Sequence, residues 1–109
     1  MNSITFSYNW NNKLQCKAFT TIRLYSPNKY KIGDTYKIIL KKECIGAGRI
    51  IAIRNFLLIE LNDDIAYLDT GYSKQECEKI IRRMYESKVN LNKVLFSLIL
   101  IQKSETLIN

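Results

Sequence analysis

The sequence predicts a mainly β domain of the α+β class. Five or six short strands curl into a small barrel, with one helix at about 74–86 before the last strand. Three observations carry this. Short alternating or β-branched runs, separated by turn residues, occupy most of the first half. Only one stretch has a clear apolar stripe at helical spacing. A nearly unbroken apolar run, Val94 to Ile101, suits a closing strand covered on both faces.

Ile4 to Tyr8 alternates apolar and polar residues and reads as the first strand. Asn9 to Cys16 admits two readings: Trp10 and Leu14 fit one helix face, whereas Asn9, Asn11 and Asn12 favour a turn. Ala18 to Arg23 is β-branched at Thr20, Thr21 and Ile22 and reads as the second strand. Ser26-Pro27-Asn28 is a turn. Gly33-Asp34 opens a third strand, Thr35 to Lys41, and Lys42-Glu43 connects it to an apolar run from Cys44 to Ile53. Gly46 and Gly48 inside that run mark a bulge or barrel corner. No third glycine and no helix follow them, as a phosphate loop requires.

Phe56 to Glu60 reads as a further short apolar run, and Asn62 to Leu68 as a connection. Ser73 and Glu76 form a capping box at the start of the helix. Cys77, Ile80, Ile81, Met84 and Tyr85 make its buried stripe, and Glu78 with Arg82 adds an i,i+4 pair outside. The chain is one domain over 1–103 with a tail at 104–109.

Composition narrows the chemistry. The net charge of +7 is uneven: residues 1–55 hold ten Lys/Arg against two acids, and 56–109 hold seven against eight. A basic first half favours a polyanionic partner. With no histidine, Ser-His and Cys-His nucleophile pairs are excluded, as are His-based metal sites. Cys16, Cys44 and Cys77 are widely spaced and form no CxxC pair, so no disulfide, metal or cofactor is expected. No apolar run approaches the roughly 18 residues of a membrane span, and Met1 to Phe6 lacks the pattern of a secretory leader. A cytoplasmic location is the expectation.

The candidate site centres on Lys17 to Asp34. Lys17, Thr21 and Arg23 lie two or four residues apart, so an extended strand sets them on one face. A basic, aromatic loop follows, with Tyr25, Lys29, Tyr30 and Lys31. A guanidinium matches phosphate bidentately, and tyrosines stack on unpaired bases.

Several of these segments, in this order, resemble the ASCH domain family. They are Thr21-Ile-Arg23, the basic loop, Ile32-Gly-Asp34 entering a strand, Asp69-Thr-Gly-Tyr-Ser73 opening a helix that ends at Met84-Tyr85, and the apolar last strand. The similarity runs from about Ile4 to Lys103. It implies a PUA-like β-barrel whose cleft receives RNA, a nucleotide or a modified nucleoside. The family signature is G-x-K-x-x-E-x-R, with Thr for Glu in some members. Thr21 matches that threonine and Arg23 the arginine. Ala18 stands at the lysine position with Lys17 one residue early, and Gln15-Cys16 stand where the glycine belongs. One branch hydrolyses acetylated cytidine with lysine, threonine and a later glutamate. The resemblance carries those roles to Lys17, Thr21 and Asp69, the last an aspartate beside the nearest position, Thr70. The expectation is an ASCH-type binding module. An amidohydrolase and a small protein-binding regulatory module are its alternatives.

Overall fold

A single mixed sheet of five strands, ordered β1-β3-β4-β5-β2, curls into a half-barrel. The computed structural model describes residues 2–85 and 90–104. The strands are β1 (Ser3–Phe6), β2 (Ala18–Leu24), β3 (Thr35–Leu40), β4 (Glu43–Leu57) and β5 (Leu95–Lys103). Among the described residues only the β1–β3 pair is parallel. The apolar last run is a central strand, as its composition implies, pairing with β4 on one side and β2 on the other.

Two bulges shape β4. Ile38 pairs with Gly46 but Ile39 with Cys44, leaving Ile45 extra; Ile50 pairs with Ile101 but Ala52 with Leu100, leaving Ile51 extra. An unpaired residue bends a strand and increases its twist, which lets one 15-residue strand wrap the barrel. Gly48 is required by close approach, since a Cβ there would lie 2.5 Å from Ile101 Cγ2. The run 56–60, expected to stand apart, instead ends this strand and turns through a 3-10 helix at Leu58–Glu60.

Between this turn and the expected helix lies a further one, α1 (Asp63–Thr70), where the sequence reading placed a connection. Asn62 caps it, its Oδ1 accepting from Ile65 N at 2.8 Å, and Gly71 closes it with φ 81°. The predicted helix is α2 (Lys74–Tyr85), with residue 86 outside the described residues. Ser73 caps it by accepting from Glu76 N at 3.3 Å. The tail expected from 104 onward lies, after Ser104, outside the described residues. Among the described residues no helix is long and apolar enough to cross a membrane.

The core has two parts. Ile4, Phe19, Tyr36, Ile38, Ile50 and Ile99 fill the inside of the curl. Phe56, Leu61, Ala66, Cys77, Ile81 and Phe96 join the helices to the sheet. The two edge strands face each other across the open side of the half-barrel. Phe6 of β1 meets Phe19 of β2 edge-on at 5.9 Å, and the Arg23 guanidinium lies 4.6 Å from the Phe6 ring centroid.

Candidate functional site

A cavity of about 200 Å³ occupies this seam between β1 and β2. Thr5 and Phe6 form one wall, Thr21 and Arg23 the other, and Ile80, Met84 and Tyr85 of α2 cover it. Trp10 stands at the side, in an aromatic row with Tyr8 at 4.7 Å and Tyr72 at 6.0 Å. The two grooves described below are larger, but only this cavity holds buried charge.

That charge is an ion pair. Lys13 Nζ donates to Asp69 Oδ1 at 2.9 Å, and both residues are only 5% exposed. Thr20 Oγ1 donates to the same oxygen at 2.9 Å, fixing the carboxylate against β2. Lys13 comes from a 3-10 helix (Trp10–Gln15) that kinks at Asn11 and Asn12, with φ 57° and 56°. Asparagine tolerates this left-handed backbone. Asn9 Oδ1 accepts from Leu14 N at 3.0 Å, so Leu14 and Lys13 both turn inward. The three asparagines of the ambiguous stretch therefore aim a lysine into the cavity.

Burial pushes the Lys13 ammonium below its ordinary range, against the opposing pull of Asp69, and nearby Arg23 lowers it further. Burial raises the Tyr85 hydroxyl, with Arg23 acting against it. Cys77 beneath the pair is pushed up to about 11, again mainly by burial. The Thr21 hydroxyl accepts from Arg23 Nε at 2.9 Å, which leaves its own proton available to a ligand. Among the described residues no carboxylate lies within ion-pair distance of Arg23.

The residues expected at the site are dispersed. Thr21, Arg23 and Asp69 line the seam cavity. Lys17 does not: it is exposed in the bend before β2, where its carbonyl accepts from Lys103 N at 2.8 Å. It precedes Thr21 by four residues, about 13 Å along an extended chain. The lysine in the cavity is Lys13. Tyr25, Tyr30 and Lys31 line a second groove of about 400 Å³ with Asn55 and Ser97. Lys29 lines a third, of about 460 Å³, which shares Thr5 and Arg23 with the seam cavity.

Lys13, Thr20 and Tyr85 are the residues of this site that pattern reasoning did not assign to it. For Tyr85 the signal was its place on the α2 stripe. For Lys13 and Thr20 no spacing rule applies, since their partner Asp69 is 56 and 49 positions away. Comparison with known proteins finds no family model, no curated protein and no solved structure that matches this chain.

Proposed function

We propose that this chain is an ASCH-type module, with a PUA-like barrel, that binds a nucleotide or modified nucleoside in the seam between β1 and β2. The observation that carries the reading is the seam cavity itself. It is apolar and aromatic-walled, with the Lys13–Asp69 pair, Thr21 and Arg23 converging on it. At about 200 Å³ it is smaller than the roughly 300–1,000 Å³ of sites for larger ligands, a size suited to one flat ring. Trp10 and Tyr8 offer stacking faces, and Thr21 and Asp69 offer hydrogen-bonding groups for a base edge.

Trp10 is the one tryptophan, so its fluorescence reports on the cavity. Nucleosides, nucleotides and short single-stranded RNA should change its emission saturably, and Thr21→Ala should weaken the effect. Flat titrations with all three ligand types would remove this reading.

The lysine, threonine and carboxylate on one cavity favour a second reading, hydrolysis of an acylated amine on a base. Water adds to the acyl carbon, the C–N bond breaks, and the nitrogen leaves with a proton. Lys13, lowered by burial, and Asp69 are the groups beside which that proton moves. Acetylcytidine turnover that is present in the wild type and lost in Thr21→Ala supports it. Absence of turnover in the wild type leaves binding alone.

A further inference from the structure

The seam cavity shares Thr5 and Arg23 with an adjoining polar groove whose other lining residues are Asn2, Ser3, Asn28 and Lys29. Every lining side chain of this groove is either a cation or a neutral hydrogen-bonding group, and none is a carboxylate. Two like charges share one concavity without an acid between them, an arrangement that a bound dianion would relieve.

Both cations are held in place by the fold. Arg23 Nε is engaged by Thr21 Oγ1, and its guanidinium rests on the Phe6 ring, so its two Nη groups lie outside that bond. Lys29 Nζ lies 5.4 Å from the Tyr30 ring centroid. Its backbone is pinned by the buried Tyr36 hydroxyl, which donates to Lys29 O at 2.8 Å and accepts from Lys31 N at 2.9 Å. Lys13, the lysine of the seam cavity, is already paired with Asp69.

We infer that the ligand is a mononucleotide: the apolar chamber takes its base, and the groove of Arg23 and Lys29 takes a phosphate monoester. The inference rests on the base-binding reading above and adds the anionic subsite. A monoester dianion matches two cations, whereas an internal diester of RNA brings one charge. Arg23, through two Nη donors, makes the bidentate contact; Lys29 supplies the second charge, and Ser3, Thr5, Asn2 and Asn28 supply neutral partners.

The test is titration of the whole chain with each of the four ribonucleosides, their 5′- and 3′-monophosphates, and a dinucleoside monophosphate carrying only a diester. At least one monophosphate should bind about tenfold or more tightly than its nucleoside, the scale of one charged hydrogen-bond pair. Lys29→Ala is an exposed change. It should remove most of that difference and leave nucleoside affinity as it was; Arg23→Lys should weaken monophosphate binding as well. Equal binding of nucleoside and monophosphate would overturn the phosphate subsite and leave the base pocket standing. A dinucleoside monophosphate equal to the best monophosphate would replace the monoester with an RNA backbone. Binding by none of these probes would end both readings.

Discussion

Lys13 Nζ stands 2.9 Å from Asp69 Oδ1, and this contact joins the 3-10 helix Trp10–Gln15 to α1, 56 residues apart, on the wall of the seam cavity. Both side chains are largely buried, so each needs the other. Removing one partner strands a buried charge, at a cost on the order of 3–5 kcal/mol, whereas replacing both by apolar residues is often close to neutral. Lys13→Met and Asp69→Leu should each lower the denaturant midpoint sharply, and the double variant should recover most of the loss. Additive losses would mean that the pair is not coupled.

Burial raises both Cys77 and Tyr85, so both favour the fold less as the solution turns alkaline, and Cys77 is the one a small substitution removes. Its pKa in the fold is about 11 against an ordinary 9.0, so the folded state favours the thiol. That contribution is fully present below about pH 9 and is lost as pH rises towards 11. Lys13 has the opposite sign: its lowered value means that the unfolded chain binds the proton more readily, so its term improves with rising pH below 10.5. In Cys77→Ala the Lys13 and Tyr85 terms remain and the thiol's is removed. Its stability should therefore fall less steeply across that window than the wild type's, by on the order of 1–2 kcal/mol. An unchanged slope would exclude the thiol as the cause. At pH 8 a thiol reagent should modify exposed Cys16 and Cys44 rapidly and Cys77 only slowly.

The strands and α2 were legible because their periodicity reports burial directly. Ile4 and Phe6 alternate with exposed neighbours, and Cys77 and Ile81 lie on the inner stripe. α1 was hidden because its faces are inverted relative to hydropathy: Tyr67 and Leu68 are exposed, while Asp69 and Thr70 are buried. Its end signals, Asn62-Asp63-Asp64 and Gly71, were present without a stripe between them. The site divides in the same way. Thr21 and Arg23 share a face by strand alternation and do line the cavity. The identity of the lysine depends on how a kinked 3-10 helix aims Lys13, which no strand spacing encodes.

The β3–β4 hairpin turns through Lys41 and Lys42, with φ 48° and 75°. Two-residue turns of this sign favour Asn-Gly, and lysine pays for the left-handed backbone at both positions. Replacing the pair by Asn-Gly should raise stability by about 1 kcal/mol, read as a higher thermal midpoint. A lower midpoint would show that these lysines make stabilising contacts that outweigh the turn.

Gly71 couples the same backbone requirement to the cavity. Its φ is 81°, and a Cβ there would lie 3.1 Å from Asn11 Oδ1. Asn11 sits at the kink that aims Lys13, and its Nδ2 donates to Tyr67 O of α1 at 3.4 Å. Gly71→Ala must therefore strain the end of α1 and push on the kink. Gly33 provides the control, because its φ of 94° is equally unfavourable for alanine but nothing lies within 4 Å of the added Cβ. Both substitutions should cost about 1–2 kcal/mol of stability from the backbone. Gly71→Ala should in addition weaken nucleoside binding measured by Trp10 fluorescence, while Gly33→Ala should leave it near the wild-type value. Equal losses of binding in the two variants would separate the kink from the cavity and assign the effect to stability alone.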